Sequence, residues 1–294
     1  MDNQIKHGSF EMTAAMLISG TIGWFVLMSG QPVLNVVFWR CAFGAVTLLL
    51  ICMVMGVLRP GSLSWPRFAW ALISGLAVVA NWLLLFAAYS RASIGVATAV
   101  YNVQPFMLVI LGAIFLGERI TLNIIAWLSL AFIGMLAIVQ QQSVPSYGGG
   151  DYIEGIVLSL GAAFLYAVAA IIIKRLSGTA PHLIALIQVC AGVLLLAPFA
   201  QLSAAPEIAG FSWLMLLTLG VVHTGLMYVL LYGGIQKLPT ALTGALSFIY
   251  PIVAIVVDWV AFGHSLQWLQ WLGAAAIFLA VAGMRQGWGA RPAV

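Results

Sequence analysis

Ten apolar runs, each about 20 residues long and nearly free of charge, leave this chain few ways to fold. A backbone lying in hydrocarbon must satisfy every N–H and C=O internally, so each run is expected to be a membrane-spanning helix and the fold all-α. The runs cover approximately 9–29, 34–57, 67–88, 93–116, 121–141, 153–174, 181–201, 212–234, 239–262 and 266–287. Gly, Pro or a charge marks nearly every break, as at Gly30-Gln31-Pro32 and Arg59-Pro60-Gly61. With 64% hydrophobic and 6% charged residues there is too little polar surface to coat a soluble globule. The first run lacks a small-x-small cleavage pattern and is followed by further spans, so it reads as a retained helix.

One span pattern occurs twice, 146 residues apart. Arg91 to Gly117 reads RASIGVATAVYNVQPFMLVILGAIFLG, and Lys237 to Gly263 reads KLPTALTGALSFIYPIVAIVVDWVAFG. Each opens on a base, continues through small residues, carries a mid-span proline (Pro105, Pro251) and closes on glycine. The longest break, QQQSVPSYGGGD from Gln140 to Asp151, separates two groups of five runs. The expected organisation is a first five-helix repeat over 1–141, a linker over 142–152 and a second repeat over 153–294. Because five is odd, the second repeat enters the membrane in the opposite sense, which makes the repeats inverted.

The bases support that count. With ten spans, Lys6, Arg59, Arg67, Arg119, Lys174, Arg175, Lys237, Arg285 and Arg291 share the face of the N-terminus, and Arg91 stands opposite. Arg40 lies inside the second run. Nine against one places both termini in the cytoplasm by the positive-inside rule.

Paired broken helices in inverted halves point to a transporter's binding site, with Pro105 and Pro251 as the kinks. Thr98, Tyr101 and Asn102 share a face with Pro105, and Thr240, Thr243, Gly244 and Ser247 share one with Pro251. Close helix packing by small residues is the plainer account of the same pattern. Other deep polar or aromatic positions are Trp24, Asn81, Tyr166, Gln188, His223 and Tyr228. The substrate-binding candidates are Trp24, Asn81, Tyr101, Asn102, Tyr166 and Ser247. Asn81 and Ser247 are read as donors to a carboxylate, while core packing is an equal alternative for Trp24 and Tyr166. Asp258 is the sole carboxylate well inside a run and, with His223, a candidate for proton coupling. The alternatives are an interfacial acid paired with Arg40 and a histidine that bonds a helix carbonyl.

Several function classes lack their chemistry. The four histidines have no metal-ligand spacing, no G-x-x-x-x-G-K loop offers a phosphate cradle, and no basic run suggests nucleic acid. No G-x-S-x-G serine or second intramembrane aspartate supports an embedded protease. Cys41, Cys52 and Cys190, all within apolar runs, read as buried small hydrophobes and not as a disulfide framework. No cofactor, metal or obligate protein partner is expected.

The segment PFMLVILGAIFLGERIT (Pro105–Thr121) resembles the fourth-span signature of the EamA family in the drug/metabolite transporter superfamily. PIVAIVVDWVAFGHSLQ (Pro251–Gln267) stands in the corresponding place, with His264 where Glu118 has its carboxylate. FWRCAFGA, around Arg40, is similar to the family's second-span segment. Within the family the chain looks most like YddG-type exporters. That resemblance implies a bacterial inner-membrane exporter of aromatic and other mostly neutral amino acids. It also implies alternating access through a central cavity, with the fourth and ninth spans moving. Export of drugs or other small metabolites is the rival reading, and a membrane-embedded enzyme a remote one.

Overall fold

A computed structural model describes residues 2–59, 63–92, 94–139, 150–200, 208–262 and 267–289. The described residues are helical apart from short turns and connections. The first half contains α1 (Asp2–Ser19), α2 (Ile22–Ser29), α3 (Val33–Val54), α4 (Trp65–Ala92), α5 (Ile94–Tyr101), α6 (Gln104–Leu116) and α7 (Leu122–Val139). The second contains α8 (Gly150–Arg175), α9 (Pro181–Leu196), α10 (Gly210–Gly220), α11 (Met227–Lys237), α12 (Thr240–Ser247), α13 (Ile249–Phe262) and α14 (Trp268–Gln286). A π-helical turn, Val221–Leu226, joins α10 to α11.

Paired into spans, these are the ten expected runs. Nine are long and apolar enough to cross a bilayer, and the tenth is the shorter apolar α9. The helices break in places the run lengths do not reveal. The first run is interrupted at Gly20-Thr21, and the eighth carries the π-turn. The linker also differs: 140–149 lie outside the described residues, but α8 starts at Gly150, so the last three positions of 142–152 are helical.

Packing follows a two-fold exchange of halves. The third span packs on the sixth (α4 on α8), and its counterpart, the eighth, packs on the first (α11 on α1). The second and seventh spans pair with each other, as do the fifth and tenth (α3 on α9, α7 on α14). At the last contact a Cβ on Gly134 would stand 2.6 Å from the Gly273 carbonyl oxygen, so backbone meets backbone. Close approach of this kind drives helix association where lipid supplies no hydrophobic force. Val46, Ile114, Leu194 and Val260 present apolar surface outward. Exposed tryptophans sit at both ends, Trp65 and Trp288 at one and Trp268 and Trp271 at the other, as in an interfacial belt. Cys41 and Cys52 are buried as expected, but Cys190 is exposed, because α9 turns that side away from its neighbours.

Ion pairs define two faces. Glu118 bonds Lys174 (2.8 Å) and Glu11 bonds Lys237 at one, while Arg91 bonds Glu154 (3.0 Å) at the other. These groupings match the sidedness expected from the base count.

Candidate functional site

The prolines break their helices upstream of themselves. α5 ends at Tyr101, Asn102 and Val103 form a turn, and α6 restarts at Gln104 with Pro105 in its first turn. α12 ends at Ser247, and after Phe248 α13 restarts with Pro251 as its third residue. In a first turn the missing N–H has no intrahelical role, so each proline is accommodated by moving the break ahead of it. The lower halves of these broken helices meet: α6 packs on α12, with Gly244 against Pro105.

Beside this crossing lies a cavity of about 330 Å³, lined by both halves. Its walls are aromatic, from Trp82, Tyr101, Tyr166, Tyr228, Tyr232 and Tyr250. Polar lining comes from Arg40, Asn81, Thr98, Gln104 and Ser247. The lining runs from Val26 in α2 and Val139 at the end of α7, toward the Arg91 face, to Ile173 in α8 and Ile235 in α11, next to Lys174 and Lys237.

Of the six candidate binding residues, four line this cavity: Asn81, Tyr101, Tyr166 and Ser247. Their roles differ from those expected. The Asn81 amide donates to the Ala162 carbonyl (2.6 Å) and to the Tyr101 hydroxyl (3.4 Å). Both its N–H groups are thus engaged, and it fixes Tyr101 and ties α4 to α8 instead of donating to a ligand. The Ser247 hydroxyl donates to Gly244 O (2.6 Å), leaving it an acceptor.

Two candidates lie elsewhere. Trp24 sits edge-on to Phe25 at 4.8 Å and does not line the cavity. The break at Gly20-Thr21 shifts the helical phase, so Gly23 and Val26 take the inward positions. Asn102 is fully buried in the α5–α6 turn and donates to Thr98 O (2.7 Å) and to the Tyr250 hydroxyl (3.1 Å). It ties the two broken spans together. Of the kink residues, Pro251 lines the cavity and Pro105 is packed behind it.

His223 is also away from the cavity. Its ring nitrogens face the Thr21 hydroxyl (2.7 Å) and Thr218 O (3.3 Å), so it bridges the two irregular turns of the first and eighth spans. Asp258 belongs to α13, and its side chain lies outside what is described, as does His264 altogether. Gln188 donates to Ser74 (2.7 Å) and accepts from Tyr232, a core contact.

Arg40 and Gln104 are cavity residues that the sequence reading did not assign to binding. Arg40 neither pairs with a described carboxylate nor snorkels outward. It is 2% exposed, lies over the Trp82 ring at 4.4 Å and donates through Nε to the Thr224 hydroxyl at 3.1 Å. An arginine in an apolar run was the available signal. Gln104 is buried with its amide oxygen unpartnered, and its place just before Pro105 was the only hint.

On the Lys174 face a cluster joins the halves. Glu118 accepts from Lys174 Nζ and from both the N–H (3.0 Å) and the hydroxyl of Thr240, while Lys174 also donates to Leu238 O. Burial opposes the charge on Glu118, but the bonds from Lys174 and Thr240 outweigh it and hold the carboxyl below its ordinary pKa. Among the described residues no group of three or more His, Cys, Asp and Glu is gathered for a metal.

The chain matches the EamA-like transporter family twice, over residues 8–140 and 153–286. It is 28% identical to an uncharacterized transporter, YxxF, of Bacillus subtilis over 92% of this chain and 87% of that one. It is 27% identical to a riboflavin transporter of Vibrio cholerae, covering 96% and 95%. A pseudopaline exporter, CntI, of Pseudomonas aeruginosa is 29% identical over 50% of this chain and 48% of its own. A solved crystal structure superposes with a TM-score of 0.83 at 18% identity, covering 97% of this chain and 98% of the other, a likeness of fold.

Proposed function

The chain belongs to the EamA-like transporter family, and from that premise we propose that it exports small amino acids, aromatic ones among them, by alternating access. The observation that carries this reading is the cavity itself: aromatic, shared by both halves, and about 330 Å³ in volume. That is near the lower limit of small-molecule sites and suits a single small metabolite. Tyr101, Tyr166 and Tyr228 offer faces and edges to a side chain, and the Gln104 amide oxygen and Ser247 hydroxyl can accept from an ammonium group.

The moving parts in this reading are the fourth and ninth spans, whose broken helices meet where α6 packs on α12. The base count makes the Lys174 face cytoplasmic, in a bacterial inner membrane. In this reading Glu118, Lys174 and Thr240 are the latch between the halves at the cytoplasmic end. The relatives named for riboflavin and pseudopaline make another metabolite the rival cargo.

The test is efflux from proteoliposomes loaded with labelled phenylalanine, riboflavin or a cationic dye. Phenylalanine is expected to leave fastest, and Tyr101→Ala to lower that flux about tenfold with the protein still abundant. Preferential release of riboflavin or dye would sink the amino acid assignment.

A further inference from the structure

Arg40 has more hydrogen-bonding capacity than the protein uses. Its Nε–H is held by Thr224 Oγ1 at 3.1 Å, and that hydroxyl donates in turn to Leu219 O at 2.9 Å. Thr224 lies in the π-turn Val221–Leu226, which follows directly on α10. Thr224 therefore acts as a fixed acceptor, and the Trp82 ring, 4.4 Å away, supports the guanidinium from one side. Both Nη groups are without a partner among the described residues. Among the described residues no carboxylate pairs with Arg40, and no Asp or Glu lines the cavity. A buried cation is costly in a membrane protein and marks a functional position.

We infer that Arg40 is the anion anchor of the cavity, and that its two Nη groups receive the carboxylate of the cargo as a bidentate pair. Thr224 is its positioning residue, and Trp82 its support. The cargo class is thereby narrowed to a small molecule with an apolar or aromatic body and a carboxylate, free or as one end of a zwitterion. The same charge repels cationic drugs. This deepens the amino acid reading and rests on it only for the identity of the cargo.

The test uses the full-length protein in nanodiscs and three ligands with one body: 3-phenylpropanoate, 3-phenylpropanamide and 3-phenylpropylammonium, with binding measured by calorimetry. The propanoate is expected to bind about 10- to 100-fold more tightly than the amide, with the ammonium weakest. Arg40→Gln should bring the propanoate down to the amide's level, and Arg40→Lys, which keeps the charge but loses the fork, should restore only part. Thr224→Val should weaken the propanoate several-fold and leave the amide unchanged; this arm also serves if Arg40→Gln fails to assemble. Equal binding of propanoate and amide by the unmodified protein, or an undiminished preference in Arg40→Gln or Thr224→Val, overturns the anchor. The two readings fail separately. Arg40-dependent propanoate binding without amino acid efflux removes the export assignment alone. Phenylalanine efflux with unchanged KM in Arg40→Gln removes the anchor alone.

Discussion

The two faces of the bundle are tied in matching ways at one point and unequally at another. Arg91 and Lys237 stand 146 residues apart and open the two copies of the repeated segment. Each pairs with a glutamate near the start of the other half, Arg91 with Glu154 in α8 and Lys237 with Glu11 in α1. The Glu118, Lys174 and Thr240 set is not repeated in the sequence. The positions 146 residues away are His264, Met28 and Ile94, two of them apolar. An inverted repeat provides two packings of similar energy, and side chains that differ between the halves bias one over the other. On the alternating-access reading proposed above, this unmatched cluster biases the protein toward the packing in which the Lys174 face is tied.

The largest expected effect comes from removing the centre of that cluster. Glu118→Ala leaves Lys174 and both Thr240 donors without their acceptor at a partly buried site, a loss of about 2–3 kcal/mol from the closed packing. That is roughly a 30- to 150-fold shift in population. In a variant lacking the native cysteines, labelling of Ser247→Cys from the Lys174 face should rise accordingly; an unchanged rate would remove the latch. The latch is also expected to be indifferent to mild acid. A carboxyl whose pKa is lowered by folding contributes fully above its unfolded value and loses that contribution only as pH falls through the lower folded one. The ratio of the labelling rates of Glu118→Ala and its parent should stay flat from about pH 8 to pH 5, because the thiolate fraction falls equally in both.

Steric change at the same contact should act more weakly. A Cβ on Gly112 would stand 2.6 Å from Thr240 Oγ1 and 2.8 Å from its Cγ2. Gly112→Val then costs the closed packing about 1–2 kcal/mol, the price of overfilling a tight crossing. It should raise labelling in the same direction as Glu118→Ala, by about ten-fold. A decrease would mean that α6 and α12 do not separate when this face opens.

Much of this asymmetry was invisible in the sequence, for identifiable reasons. The spans, their sidedness and the two mid-span breaks were legible because lipid forces helices and proline forces their interruption. Side-chain facing was not. Trp24 was expected inward by depth alone, but the break at Gly20-Thr21 carries no proline and rotates the helix beyond it. Asn81 and Asn102 look available along their own helices, yet their amides are taken by Ala162 and Tyr250 in the other half. Arg40 stands out within its run, but its setting depends on Trp82 from the third span and Thr224 from a π-turn with no sequence mark. Glu118 and Lys174 come from spans that become neighbours only in the fold.

The smallest effect tests the matched part of the comparison. Arg91 and Glu154 are more than one-third exposed, so solvent screening limits Arg91→Gln to well under about 1 kcal/mol. Lys237 and Glu11 are less exposed, so Lys237→Gln should cost slightly more while remaining within about 1 kcal/mol. Both pairs join helices already packed on each other, α4 on α8 and α11 on α1. Neither substitution should therefore change Ser247→Cys labelling more than about two-fold, and added salt should erase what difference there is. A shift from Lys237→Gln as large as that from Glu118→Ala would place the control of opening in the repeated pairs and not in the unmatched cluster.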